Sequence, residues 1–214
     1  MPRFFNPNCK SCSRLTKYMR QTKKIHPDYY CAPVPPLGAL DAYLVIVGLA
    51  PGKHGANRSG RVFTGDYAGI LLYQTLYKYG FSNQPLSTAR DDSLRLKNCR
   101  ITNAVKCLPP DNKPNLEEIK TCNRFLKAEI RALQVGTVLL ALGHIAHSAI
   151  IRAYSLRHSA YPFKHGAVHS LPDDKKLVDS YHCSRYNIQT GRLSQKQFEA
   201  VFKKIVKLRS DAIK

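Results

Sequence analysis

The chain has 214 residues, with 34 Lys and Arg against 14 Asp and Glu, so its formal net charge is +20. Hydrophobic residues make up 43% and charged residues 22%, which excludes a disordered chain and fits a globular fold with a sizeable core. No apolar run approaches the ~18 residues of a membrane-spanning helix, and the N-terminal stretch lacks the apolar core of a secretory signal. We therefore expect an intracellular protein with no membrane partner. We also expect a monomer, although composition does not bear on the oligomeric state.

The excess positive charge indicates an anionic partner, because self-repulsion of this size disfavours the compact state. Lys and Arg are spread along the whole chain rather than concentrated in one amphipathic helix. That distribution favours nucleic acid over a membrane surface. A charge surplus that serves only solubility is the alternative.

Alternating strands and helices are predicted after an irregular, basic and proline-rich segment, residues 1–36. Apolar runs predict buried strands, and helical spacing of apolar residues predicts the helices. In chain order these are a strand at 43–48, a glycine-rich loop at 48–65, a helix at 66–79, a strand at 99–105, a helix at 115–133, a strand at 137–142, a helix at 144–154, a weak strand at 177–181 and a helix at 194–208. The alternation predicts an α/β fold, a three-layer α/β/α sandwich with a central parallel four-stranded sheet, in a single domain spanning 1–214.

Ligands of such sheets bind beyond the carboxyl ends of the strands, so the loops that follow the strands are the candidate site. The first loop is not a Walker A loop, because its glycine spacing is one residue too short. It does offer Arg58 and Arg61 as phosphate-type cations. Asp66 is its one acid, and from spacing alone it is either a helix N-cap or a functional carboxylate.

Three later loops carry further polar groups. Asn103 follows the second strand, and its amide can either read a planar amide edge or pair with local backbone. His144 and His147 have a chelating i, i+3 spacing, but no carboxylate or cysteine is near them in sequence, so we interpret them as ordinary helix histidines. Residues 180–192 combine aromatic, cationic and hydrogen-bonding side chains, as nucleic-acid contact loops do.

Seven cysteines, an odd number, argue against a disulfide framework. Cys9 and Cys12 form a C-x-x-C motif in a segment without a core of its own, and a metal shared with Cys107 and Cys122 would tie that segment to the domain. Four thiolates suit zinc or an iron–sulfur cluster, and their spacing does not separate the two.

Three segments together resemble the family 5, or type-b, uracil-DNA glycosylases: GLAPGKHGANRSGRVFTGD at 48–66, TNAVKCLPP at 102–110 and HCSRYNIQTGRLS at 182–194. They occur in the family's order, and the resemblance covers nearly the whole chain. Leu49 stands where the sister family 4 carries an acidic residue. Cys183 stands where family 5 usually has proline.

The resemblance implies a repair enzyme that flips uracil, and other deaminated bases such as hypoxanthine, out of DNA and hydrolyses the N-glycosidic bond. It implies that Asp66 activates or orients water, that His182 stabilises the departing base and that Asn103 reads the base edge. A non-catalytic nucleic-acid-binding module with a metal-stabilised N-terminus and a family 4 enzyme are the alternatives.

The resemblance also implies the binding residues around these catalytic groups. The residues implied to contact the base are Phe63, Gly48, Leu49, Ala50, Asn103 and Asn187. The residues implied to contact DNA are Arg58, Arg61, Arg185, Tyr186 and Arg192. A structural 4Fe–4S cluster is implied on Cys9, Cys12, Cys107 and Cys122.

Overall fold

A five-stranded sheet is the middle layer of the computed structural model, which describes residues 4–211. Its strands are β1 Leu44–Gly48, β2 Cys99–Asn103, β3 Val138–Leu142, β4 Val168–Ser170 and β5 Lys176–Ser180, in the order β2-β1-β3-β5-β4. The first four in that order are parallel, and β4 pairs antiparallel with β5 at the edge. The α/β class is confirmed, but the four-strand prediction missed β4, because this strand has three residues and no buried face.

The central strands are buried on both faces. Every residue of β1 and of β3 is buried, as expected for parallel strands covered by helices on each side. Alternate side chains of β1 enter different cores: Leu44 and Ile46 join one apolar cluster, and Val45 and Val47 join the other.

Helices cover both faces of the sheet. They are α1 Ser13–Ile25, α2 Ala56–Ser59, α3 Tyr67–Lys78, α4 Leu116–Arg131, α5 His144–Ala153, α6 Arg185–Gln189 and α7 Gln195–Asp211. α3 and α7 pack on the first core, whereas α4 and α5 pack on the second. Within residues 4–211, no helix has the length and hydropathy needed to cross a membrane.

The prediction that residues 1–36 are irregular is wrong, because α1 occupies the middle of this segment. Its apolar signal is thin: Leu15 and Met19 are the buried hydrophobic residues of a helix otherwise rich in Lys and Arg. These two side chains pack against Phe125 of α4. Arg14 adds an ion pair of 2.8 Å to Glu118, a residue of the capping box that begins α4. Tertiary contacts with α4 therefore support α1.

Candidate active site

A cleft of about 460 Å³ opens beyond the carboxyl ends of β1, β2 and β5. Ligands of parallel α/β sheets bind at this edge. The three residues expected to be catalytic, Asp66, Asn103 and His182, all line the cleft although they come from distant parts of the chain. Phe63, Leu49 and Ala50 line it as well.

Asp66 is both a helix cap and a cleft residue. Its Oδ1 accepts a hydrogen bond of 2.9 Å from the Gly69 N–H at the start of α3. Its Oδ2 faces Gly55, where an added Cβ would lie only 2.4 Å from that oxygen. Burial raises the pKa of Asp66, while the N–H groups of Gly69 and Ala68 oppose the rise. A fixed carboxylate of raised pKa suits proton transfer from water.

Asn103 lines the cleft and contains a buried, unpaired acceptor. Its side chain is buried, and Oδ1 has no hydrogen-bond partner within residues 4–211. Gly48 lies opposite it on β1, where a Cβ would come within 2.4 Å of Oδ1 and 2.7 Å of the Phe63 ring. A buried acceptor left unpaired costs ~1–3 kcal/mol, which a ligand N–H would offset.

His182 and Phe63 form an aromatic wall beside that amide. Their ring centroids lie 6.0 Å apart with planes tilted by 26°. Phe63 has φ 52°, a left-handed conformation that non-glycine residues seldom adopt and that concentrates at functional sites. Burial lowers the pKa of His182 to about 4, so the imidazole is neutral near pH 7. Its buried Nδ1 also has no partner among the described residues.

Comparison with known proteins identifies the relatives of this arrangement. The family model described as the Uracil DNA glycosylase superfamily matches residues 35–206. The chain belongs to the uracil-DNA glycosylase superfamily. A type-5 uracil-DNA glycosylase of Thermus thermophilus is 44% identical over 195 residues, or 89% of each chain. A type-5 enzyme of Pyrobaculum aerophilum is 39% identical over 201 residues, covering 92% of this chain and 87% of the relative.

The sister type is more distant. A type-4 uracil-DNA glycosylase of Archaeoglobus fulgidus is 30% identical over 181 residues, covering 82% of this chain and 81% of the relative. The two type-5 relatives above are more similar to this chain, and over longer stretches, than this type-4 enzyme is. The resemblance to family 5 is therefore confirmed.

Two residues of this superfamily member lie elsewhere than the sequence predicts. Asn187 does not line the cleft. Its Nδ2 donates to the His182 carbonyl at 2.8 Å, so it holds the backbone of the His182 loop. Arg61 is buried, with Nη2 at 2.6 Å from Asp92, so its guanidinium fixes a loop and cannot reach a phosphate.

The other predicted DNA contacts are accessible. Arg185 lines the cleft at the start of α6, and the neighbouring Tyr186 is 70% exposed. Arg58 and Arg192 are exposed as well, and the Arg192 guanidinium lies 4.7 Å from the centroid of the Tyr181 ring. These positions leave cations and an aromatic side chain free to contact a polyanion.

Sequence reasoning missed several cleft residues, namely Lys53, His54, Tyr67, Asn112 and Ser184. Lys53 belongs to the loop that was tested only as a phosphate-binding motif. Tyr67 directly follows Asp66. The available signal was adjacency to Asp66 for Tyr67 and membership of the glycine-rich loop for Lys53. Asn112 had no such signal, because only the chain path after β2 brings it to the cleft.

The four cysteines predicted to hold the cluster line one small pocket between the start of α1, the loop after β2 and α4. Apolar side chains surround them, including Leu15 and Phe125. The Lys106 N–H lies 3.3 Å from Cys122 Sγ, and the Arg124 guanidinium lies 3.7 Å from Cys9 Sγ. Burial, reinforced by neighbouring Cys122, raises the pKa of Cys12 to about 11. Four clustered thiols with N–H donors to sulfur fit a metal-bound group.

Proposed function

We propose that this protein is a DNA-repair glycosylase that excises uracil by hydrolysing its N-glycosidic bond and leaves an abasic site. The observation that carries the proposal is the unpaired, buried Asn103 Oδ1 in the cleft of a uracil-DNA glycosylase superfamily member. The ring N–H of uracil would donate to this oxygen, and the adjacent ring carbonyl would accept from the Asn103 amide. The Watson–Crick edge of the base is thus read by one side chain.

Base flipping must be supported by binding elsewhere. Extruding a nucleotide costs a few kcal/mol. Stacking of the flipped base on Phe63 would return ~1–3 kcal/mol. Phosphate contacts from exposed Arg58, Arg185 and Arg192 would supply further binding energy.

Bond cleavage leaves negative charge on the base and positive charge on the sugar. Neutral His182 would donate a hydrogen bond to the departing base, a preorganised contact of a kind that contributes ~3–4 kcal/mol. Asp66 would orient the attacking water, accept its proton and offset the charge on the sugar. Asn187 would keep the His182 backbone in place through its bond to the carbonyl.

The substrate range extends in this proposal to hypoxanthine. Its six-membered ring presents an adjacent carbonyl and N–H, the same pair that Asn103 would read in uracil. The cleft of about 460 Å³, in whose lining Ala50 has a small side chain, would accommodate the second ring.

A structural 4Fe–4S cluster on Cys9, Cys12, Cys107 and Cys122 is part of the proposal. Within residues 4–211, no three of these sulfurs all lie within 4.8 Å of one another. Thiolates on one tetrahedral zinc, at about 2.3 Å from the metal, would be only about 3.8 Å apart. The wider spacing of these sulfurs therefore favours a cluster over a single zinc ion. When bound, the cluster supplies a crosslink between α1 and α4, since hydrolysis moves no electrons. We further propose that the protein acts as an intracellular monomer.

The test is base release from an oligonucleotide with one uracil, read out by alkaline cleavage of the abasic product. Wild type should release uracil. Asp66→Asn, which keeps a capping oxygen, should lose ~10²–10⁴-fold in single-turnover rate while DNA affinity stays largely intact. Loss of binding and turnover in equal measure would contradict the catalytic role. A wild type that binds DNA but releases neither uracil nor hypoxanthine would support the binding-module alternative.

A further inference from the structure

A second group of metal-type ligands lies outside the cleft. His147 of α5, His169 of β4 and Asp179 of β5 bring one ligand atom each within 4.8 Å of one another. His147 Nδ1 is 2.7 Å from Asp179 Oδ1, and His169 Nε2 is 3.2 Å from Asp179 Oδ2. Asp179 is fully buried, His147 is 2% exposed and the His169 side chain is 14% exposed.

The hydrogen bonds of His147 leave one position that either a proton or a metal ion must fill. Its Nε2 lies 2.8 Å from the Tyr161 carbonyl, which can only accept, so Nε2 carries the ring proton. A neutral ring then presents the Nδ1 lone pair to a carboxylate oxygen. At 2.7 Å, these two acceptors need either one proton, carried by the ring or by the carboxyl, or a metal ion between them.

The surroundings resemble the outer shell of a metal site. Histidine ligands commonly donate the other ring N–H to a backbone carbonyl, as His147 does to Tyr161. The Lys164 N–H approaches Asp179 Oδ2 at 3.4 Å and would orient the carboxylate. Phe163 packs edge-on against His147 at 5.6 Å, and Tyr161 packs edge-on against His169 at 5.8 Å.

We propose that His147, His169 and Asp179 bind a divalent transition-metal ion of the zinc type. Two imidazoles and one carboxylate are a donor set that zinc prefers, and the ion would bind both rings as neutral imidazoles and pair with the buried carboxylate charge. The partly exposed His169 marks the side from which the ion would enter. Neither of these histidines takes part in the proposed base excision.

The site would hold the strand that carries His182. Asp179 lies on β5, three residues before His182, and β5 pairs with β3 and with the short edge strand β4. An ion bound to all three ligands would crosslink α5, β4 and β5. The ion would have a structural role, because it would hold the strand from which the His182 loop begins.

The test uses the full-length protein with its cysteine site loaded, dialysed against Zn²⁺ and then freed of excess metal. Wild type should retain one Zn²⁺ per chain. X-ray absorption at the zinc edge should show a nitrogen and oxygen shell with imidazole. His169→Gln should weaken binding by more than the ~10–100-fold that loss of an outer-shell partner costs. His144→Gln is the matched control, because His144 lies on the same helix, is exposed and is outside the group; it should bind like wild type.

Three results would overturn the proposal: no zinc in wild type, a zinc shell of sulfur only, or equal zinc affinity in wild type and His169→Gln. The first result would mean that a proton, and not a metal ion, lies between His147 and Asp179. If His169→Gln does not fold, the stoichiometry and absorption spectrum of wild type decide the question without it.

Discussion

Neighbouring residues of β2 belong to two buried polar groups on opposite faces of the sheet. The two groups differ in whether their polar atoms have partners within the protein. On one face, Glu129 accepts from Arg100 at 2.6 Å and from Thr102 at 3.0 Å, and it lies 3.4 Å from the Lys106 ammonium. On the other face, Asn103 lines the cleft and holds a buried side-chain oxygen that has no partner among the described residues. The first group pairs its charges within the protein, and the second leaves an atom for a ligand.

The difference teaches how to separate structural from functional polar residues. Burial alone does not do so, since Glu129 and Asn103 are both buried. An unpaired atom alone does not either, because Asn57 Oδ1 and Tyr79 OH are also buried and unpaired among the described residues, yet do not line the cleft. Asn103 and His182 combine an unpaired atom with a cavity, and this combination indicates a ligand.

The largest expected effect is a loss of stability on removing the buried charge of Glu129. Glu129→Gln should lower the free energy of unfolding by about 3–5 kcal/mol, because Arg100 and Lys106 lose a buried counter-charge. Thermal and urea unfolding measure this loss. The folded fraction should still release uracil at low temperature. A variant as stable as wild type would show that the Glu129 network is not structural.

The next effect concerns pH and His182. Its pKa is about 4 in the folded protein because of burial, against about 6.5 when unfolded. Below pH ~6.5, His182 binds a proton in the unfolded chain but not in the folded protein. The free energy of unfolding should therefore fall by up to ~3 kcal/mol as pH drops to ~4.

His182→Gln isolates this contribution, because it cannot titrate there. Unfolding free energies of both proteins should be compared from pH 7 to pH 4. The wild type should lose more stability than the variant over this window. Parallel curves would mean that His182 is protonated alike in both states.

Asn103→Ala should separate activity from stability. We expect a loss of about 100-fold in the single-turnover rate on uracil, or ~2.7 kcal/mol. Stability should be unchanged or slightly higher, because the variant removes an unpaired buried acceptor. Calorimetry on the same samples provides the second readout. A destabilisation like that of Glu129→Gln would remove the contrast between the two faces of β2.

The smallest effect contrasts two arginines of the predicted DNA surface. Arg185→Ala should weaken DNA binding several-fold and reduce the slope of log affinity against log salt by about 1, with stability unchanged. Arg61→Ala should leave the slope unchanged but lower the melting temperature, because the half-buried Asp92 loses its ion-pair partner. Binding titrations at several salt concentrations measure both slopes. A reduced salt slope for Arg61→Ala, with an unchanged melting temperature, would instead indicate that Arg61 contacts DNA.

Local patterns were sufficient for most of the fold. The apolar runs of β1 and β3 and the helical spacing of α3, α4, α5 and α7 predicted these elements within a few residues, because each buries a continuous face. α1 and β4 escaped prediction, because α1 has only two buried hydrophobic residues and β4 has none. The short helices α2 and α6 lie in segments that were predicted as loops. α1 is supported by contacts with α4, and β4 by pairing with β5.

The site divides in the same way. Asp66, Asn103 and His182 could be selected from the sequence, because each follows a glycine-rich or strand-end motif and the motifs resemble one family. The sequence did not show that Asn187 turns back to the His182 carbonyl or that Arg61 pairs with Asp92. A side chain's partner is set by which segments the fold brings together.

By itself, the sequence determined the α/β class, the family and the chemical types available at the strand ends, since these depend on residue identity and short-range spacing. Only the tertiary structure decided which polar atoms are paired and which are left for a ligand. It also placed Asp179 beside His147, whose sequence neighbourhood contains no carboxylate. Burial and hydrogen-bond partners arise from contacts between distant segments, and no local pattern encodes them.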